Sequence, residues 1–469
     1  MRILQKLSTT VIMLLFLVVL ILEFFIQPEY HFDDYPYFDH NIVLLIPSVI
    51  VVSAAMILLM KLGEKVSWNP VFPLVFFVAA SAMFLFLVPM KPVSDQKIVY
   101  ELILNDLQDP DAYMGSNSNV IPTILYMYIL TRVFGKSLWV IKTANVLCGF
   151  ISLFLTSKIY GLLCADGGAG KNLFETGEKK MLWLAALFLP AFFYNNHIYN
   201  ELPAVSLSLL MIYLVMRNDR LPLIRVVTVM VSILQFVLRQ SGIVMVIACA
   251  LYLFFYLKER KYAIVYALSV IVLFLLVTDL NLLIMGIDES QSYPIWSFIR
   301  MGMNEAEFGF QDSSHSVDVT FWDCVARYRE YGLLKVLSIY AKKIFWFLGE
   351  GTYMSGRYGY GSPDNAYEYS TFITEAVSGS AYRPLRIWTN MVLRAQYMFY
   401  MFLALAGTYK ARQRNEFSIL FFAVVLFIGF YLIWEIKSRY LYGLYPIILI
   451  LAMHGWESIV KFRTEHHRV

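Results

Sequence analysis

The chain has 469 residues, 59% of them hydrophobic and only 15% charged, with a mean hydropathy of +0.62. A soluble globular protein is about 45–50% apolar and about 25% charged, so that class is excluded. The net charge of +4 carries no sign of a nucleic-acid partner, and none is expected; in a membrane protein the placement of Lys and Arg matters more than their sum.

The N-terminus reads Met-Arg-Ile-Leu-Gln-Lys and then runs apolar from Leu7 to Ile26. A secretory signal would have a shorter apolar core and a small-residue cleavage site, which Gln27-Pro28-Glu29-Tyr30 does not offer, so this run reads as an uncleaved first span. Crossing a bilayer takes about 20 apolar residues. Further spans are expected near Ile42–Met60, Val71–Met90, Leu138–Leu163, Met181–Tyr194, Tyr199–Met216, Leu221–Leu238, Ser241–Leu257, Tyr262–Ile284, Ile387–Gly407, Phe417–Trp434 and Tyr440–Trp456. The predicted fold class is therefore all-α, a polytopic transmembrane helical bundle of about 12 spans.

Lys61/Lys65, Lys171/Lys179/Lys180, Arg217/Arg220, Lys258/Arg260/Lys261, Lys410/Arg412/Arg414 and Lys461/Arg463 all fall on the side of the N-terminus. By the positive-inside rule that side is cytoplasmic, with both termini inside. Val120–Phe134 is apolar but only about 15 residues long. If it crossed, the lysine-rich segment 171–180 would move outside, so it reads as an interfacial or re-entrant helix on the outer face. The loop Gln27–Asn41, with Glu29, Asp33, Asp34 and Asp39, reads as a solvated exterior connection.

Two exterior regions have content. In the first, 91–136, Ser94-Asp95 leads into a helical stretch Gln96–Leu107, which Asp109-Pro110-Asp111 breaks. In the second, 286–386, an amphipathic helix is expected from Val317 to Phe347, followed by a Gly/Tyr-rich stretch Gly349–Tyr369. That stretch suits either a surface loop or an aromatic platform for a sugar or lipid headgroup. The domain plan is an N-terminal transmembrane hairpin (1–70), a core with the first exterior loop (71–285), the large exterior region (286–386) and C-terminal spans with a short cytoplasmic tail (387–469). Gly167-Gly168-Ala169-Gly170-Lys171 lacks phosphate-loop spacing and reads as a cytoplasmic turn. Cys148, Cys164, Cys249 and Cys324 show neither a CxxC pair nor metal-ligand spacing, and no disulfide framework is expected.

A charge at membrane depth is expensive, so ionisable residues there are functional candidates. Asp95 follows the third span; Lys142 lies in the outer turn of the fourth; Glu201 opens the sixth; Arg239 ends the seventh; Glu435, Lys437 and Arg439 occupy the junction of the last two. All face one compartment at similar depth. Plainer roles fit some of them: snorkelling for Lys142, a helix-start carboxylate for Glu201, a structural ion pair for Arg239, a polar turn for Glu435–Arg439.

Pro92-Val93-Ser94-Asp95-Gln96 after a span, then Asn119–Phe134 with Phe134-Gly135-Lys136-Ser137 and Lys142-Thr143-Ala144-Asn145, open a recognisable order. Tyr199-Asn200-Glu201-Leu202-Pro203, Leu238-Arg239-Gln240-Ser241-Gly242, Lys343–Thr352 and Ser438-Arg439-Tyr440-Leu441 before Pro446 continue it. From Val71 onward this order resembles the GT-C class of membrane glycosyltransferases, particularly bacterial relatives of the protein O-mannosyltransferase and aminoarabinose-transferase group. Two features depart from that pattern: the extra hairpin Leu7–Met60, and a single acid at Ser94-Asp95 where paired acids are frequent.

The resemblance implies exterior loops and juxtamembrane helices of that class, and a polyprenyl-phosphate sugar donor in the outer leaflet. It implies a cell-envelope glycan, lipid or protein as acceptor, and a multi-pass location in a bacterial cell membrane with the active face extracytoplasmic. Asp95 takes the role of general base, with Glu201 orienting the acceptor or supporting Asp95. Arg239, Arg439 and Lys142 take the donor phosphate. No cofactor is required, and divalent-metal dependence varies across the class. The competing readings are a transporter or flippase of lipid-linked sugars and a polysaccharide polymerase.

Overall fold

In lipid a peptide group finds no water, so a long apolar run satisfies its own N–H and C=O groups by forming a helix. The computed structural model describes residues 2–30, 36–65, 69–108, 113–165, 171–310, 316–361, 366–377 and 384–466. Over these the protein is all-α apart from one hairpin, β1 (Gln27–Tyr30) paired antiparallel with β2 (Pro36–Asp39). Asp33, Asp34, the 109–111 helix breaker and the 166–170 turn lie outside the described residues.

Among the described residues six helices are long and apolar enough to cross a membrane: Arg2–Glu23, Ile42–Gly63, Leu138–Cys164, Arg260–Met285, Asn415–Ile433 and Ser438–Val460. Three shorter apolar helices, Val71–Leu87, Pro222–Leu238 and Gln240–Tyr256, join them. Each of the dozen expected spans falls on helix, but fewer meet the length and composition of a crossing. The helix Arg260–Met285 turns Ile264, Val265, Leu268, Val272, Leu275 and Leu276 outward, each more than half exposed. A continuous apolar face of that kind suits lipid and not water.

Two expected spans are interrupted, each for a local reason. Met181–Tyr194 divides into Lys171–Ala186 and Leu189–Tyr194, because Pro190 removes one helical hydrogen bond and its ring clashes with the turn before it. The amide of Gln396 splices the gap: its Nε2 donates to Leu187 O (2.7 Å) and its Oε1 accepts from Leu189 N (3.0 Å). Ser241–Leu257 becomes a 3₁₀ turn (Gln240–Gly242), an α-helix (Ile243–Leu251) and a π-helical turn (Tyr252–Tyr256).

The helices Pro384–Ala411 and Tyr445–His466 cross at Gly407 and Gly455. A Cβ on Gly407 would collide with Leu451 O, and one on Gly455 with Leu403 O. Backbone thus meets backbone, as small residues permit between membrane helices. The N-terminal hairpin is tied into the same bundle. Arg394, fully buried, reaches Glu29 (2.9 Å), Glu23 (3.7 Å) and the carbonyl of Pro28. The expected solvated loop is therefore partly internal: Glu29 and Gln27 are buried, while Tyr37 and His40 stay exposed.

The first exterior segment forms the helix Asp95–Leu104, ended by left-handed backbone at Asp106 and Leu107 (φ 56° and 66°), so it stops short of the expected Leu107. It packs Val99, Leu102 and Ile103 against Ile124 and Met127 of the helix Ile121–Phe134. That second helix has 14 residues, about 21 Å at 1.5 Å per residue, short of a roughly 30 Å hydrocarbon core. The amphipathic helix runs Phe321–Gly349, opened by a reciprocal Thr320/Asp323 cap and kinked at Gly332 (φ 67°). The Gly/Tyr-rich stretch turns inward: Tyr353, Tyr358 and Tyr360 are buried.

Candidate functional site

The ends of several helices meet around a cavity of about 340 Å³. Asp95, Arg239 and Arg439, far apart in sequence, all line it, as do Glu435 and Lys437. Each arrives by a different local device.

Asp95 is the first residue of its helix, where a carboxylate is favoured by the exposed N–H groups. Ser94 before it has φ 54° and ψ −139°, a turn that redirects the chain as the helix begins. Gln96 fixes the helix from its buried side: its Oε1 accepts from Ile198 N at 2.7 Å. Arg239 follows the helix Pro222–Leu238 in extended backbone (φ −148°, ψ 111°). A cation at that C-terminus is favourable, and Asn200 caps it, its Nδ2 donating to Leu238 O at 2.8 Å. Arg439 lies in the 3₁₀ turn Ser438–Leu444 that joins the last two apolar helices.

The arginines are held at two levels. Arg239 Nη1 donates to Asn200 Oδ1 at 3.0 Å, and its guanidinium lies 5.0 Å from the Tyr440 ring centre. Arg439 lies over three rings, Tyr358 (5.1 Å), Tyr199 (5.4 Å) and Tyr440 (5.4 Å). It is only 4% exposed, and its Nε finds no hydrogen-bond acceptor among the described residues. That Nε faces the buried Glu201 Oε1 at 3.8 Å, while the residue lines the cavity among aromatic rings, a setting in which a desolvated guanidinium suits an anion such as phosphate. Tyr440 in turn donates to Glu435 Oε1 at 2.5 Å, which leaves Asp95 as the cavity's other lining carboxylate.

Glu201 does not line this cavity. It is buried behind the two arginines, in a void of about 20 Å³ that it shares with Arg239. Its Oε1 faces Arg239 and its Oε2 lies 2.7 Å from His197 Nε2. Burial pushes the His197 imidazole below its ordinary value of 6.5, against the pull of Glu201. Glu201 is thus held between Arg239 and His197, outside the cavity that Asp95 lines.

Lys142 is also displaced from its expected role. It is fully buried and bound to Glu368 (2.9 Å) and the carbonyl of Met90 (2.7 Å), neither of them in the cavity. Its ammonium has its partners, so Arg239 and Arg439 remain as cationic candidates, with Lys437 joining them. Tyr113 and Asn117 were not singled out in the sequence, and Asn119, Tyr199 and Asn200, which stand in the quoted motifs, were given no role there, yet all five line the cavity. Sequence reasoning also missed His197, whose four-residue spacing from Glu201 is a visible signal, although His197 precedes the helix that Glu201 begins.

Among the described residues no three His, Cys, Asp or Glu side chains group so as to hold a metal ion. The arrangement offers a proton acceptor and anion binders in a small polar chamber. No protein-family model matches the chain, and no curated protein or solved structure was found similar to it.

Proposed function

We propose that the protein is a membrane glycosyltransferase that moves a sugar from a polyprenyl-phosphate donor to a cell-envelope acceptor. The observation that carries this reading is Asp95 sharing one chamber with Arg239 and Arg439 at the ends of apolar helices. About 12 segments enter the bilayer in this reading, some too short or too polar to be recognised alone. Arg217 and Lys410 stand at the helix ends opposite the chamber, which supports a cytoplasmic assignment for that side and an extracytoplasmic one for the chamber.

The donor phosphate sits against Arg439 and Arg239, with its prenyl chain in the lipid beside the bundle. An acceptor hydroxyl attacks the anomeric carbon as its proton passes to Asp95. The bond from that carbon to the phosphate oxygen breaks, and its electron pair leaves with the polyprenyl phosphate, whose added charge the arginines stabilise. One displacement inverts the anomeric centre. A transporter or flippase would place its polar site near mid-bilayer, whereas these lining residues come from helix ends and linkers.

The test is sugar transfer by the full chain in liposomes supplied with labelled polyprenyl-phosphate hexoses and pentoses and a cell-envelope extract. Asp95→Asn is expected to lower transfer by about 10²–10⁴-fold with unchanged thermal stability. Wild-type turnover by that variant removes Asp95 as base. Lipid translocation without any transfer replaces the reading with a flippase.

A further inference from the structure

A second hollow, of about 730 Å³, lies on the other side of the Ser94–Asp95 corner. One wall is the segment 91–104 and the other Lys136–Trp139, with Ala366 and Glu368 closing it. Ser94 lines this groove while its neighbour Asp95 lines the first cavity, so the left-handed turn at Ser94 is the ridge between them.

The floor is built. Glu368 is fixed through both oxygens: Oε1 by Lys142 Nζ at 2.9 Å, and Oε2 by Trp139 Nε1 at 3.2 Å. The buried Lys142 ammonium lies 5.1 Å from the centre of the Trp139 ring. Trp139 is thereby held at a fixed tilt, yet remains 36% exposed as part of the groove lining. Tyr100 contributes a second ring. This network also accounts for Lys142, whose charge the first cavity does not use.

The rim shows what would fit. Lys91, Lys97 and Lys136 line the groove with Glu101 and Glu368; Lys97 faces Glu101 at 3.8 Å and Lys136 is paired with Asp106 beside the groove at 2.6 Å, so both signs are present and two of the three cations stand next to a carboxylate. A polyanion would meet Glu101 and Glu368, and a hydrocarbon chain would desolvate all of these charges. A polyhydroxylated ring suits them: its hydroxyls donate to carboxylates and accept from ammonium groups, and its C–H face packs on an indole. We propose that this groove binds a saccharide. On the transferase reading above it is the acceptor glycan, whose hydroxyl reaches Asp95 over the Ser94 corner.

The test is saturation-transfer NMR on the detergent-solubilised full chain. The probes are methyl glucoside, N-acetylglucosamine and glucuronate, beside a serine-rich hexapeptide. Saccharide ring protons are expected to be saturated by the wild type and by Asp95→Asn. Trp139→Ala should weaken binding about tenfold, and Trp139→Phe, which keeps a ring, should bind closer to wild type at equal thermal stability. No saccharide signal, a signal indifferent to Trp139→Ala, or binding of the peptide alone overturns the proposal. Because binding is read without turnover, normal transfer by Asp95→Asn would sink the base assignment and leave the groove standing.

Discussion

Arg239 Nη1 lies 3.1 Å from Glu201 Oε1, and Arg439 Nε lies 3.8 Å from the same oxygen. That oxygen has no hydrogen-bonded partner among the described residues, so the attraction is ionic, one buried carboxylate bracing two guanidinium groups from helix ends far apart in sequence. Removing the carboxylate charge leaves both cations uncompensated. Glu201→Gln is expected to lower stability by about 3 kcal/mol, read from denaturation in detergent. Glu201→Gln combined with Arg239→Gln is expected to recover part of that loss; a double variant at the sum of the single losses would show that the pair is not coupled.

Arg439 presents a planar fork over aromatic rings, and lysine reproduces only its charge. Arg439→Lys is expected to reduce sugar transfer by about 10²-fold and Arg439→Ala by about 10³-fold, with donor affinity measured in parallel. Equal activity for Arg439 and lysine would mean that the phosphate is read by charge alone.

His197 is expected to make the fold sensitive to acid. Burial holds its folded value below the ordinary 6.5, so protonation favours the unfolded chain. Its contribution to stability is complete above pH 6.5 and is lost as pH falls from there toward the folded value. His197→Gln is expected to flatten that limb of a stability-versus-pH curve measured in one detergent. An unchanged limb would assign the acid sensitivity to another group.

Gly407 has no room for a methyl group, because its Cβ position is taken by the Leu451 carbonyl. Gly407→Ala is expected to destabilise the crossing of the two helices by about 1–3 kcal/mol. Gly429→Ala, where nothing lies within 4 Å of the added carbon, serves as the matched control and is expected to have little effect.

Hydropathy made the helices legible, since 20-residue apolar runs leave the backbone few options. The helix start at Asp95 was legible from its place after a span, and the shared chamber of Asp95, Arg239 and Arg439 follows from their common depth. Two roles were not. Lys142 has the composition and depth of a phosphate binder, but its partner Glu368 is 226 residues away, and nothing local marks that pairing. Glu201 sits at a helix start whose orientation depends on His197 and Asn200 in an irregular linker, where no periodicity tells which way a side chain turns. Met181–Tyr194 was expected as one span, although Pro190 carries the signal for its break; nothing local marks the repair by Gln396, from another helix.

That repair has a further consequence. The chain between Pro190 and Glu201 carries His197, Tyr199 and Asn200 to their stations, and Gln396 clamps its beginning as the Glu201 helix clamps its end. One residue added or deleted in this short stretch would carry Tyr199, one of the three rings over Arg439, and Asn200, the partner of Arg239, off their stations while leaving every apolar segment intact. Length there is under tighter geometric control than side-chain identity, and indels within it are expected to silence the chamber in a chain that still inserts and folds.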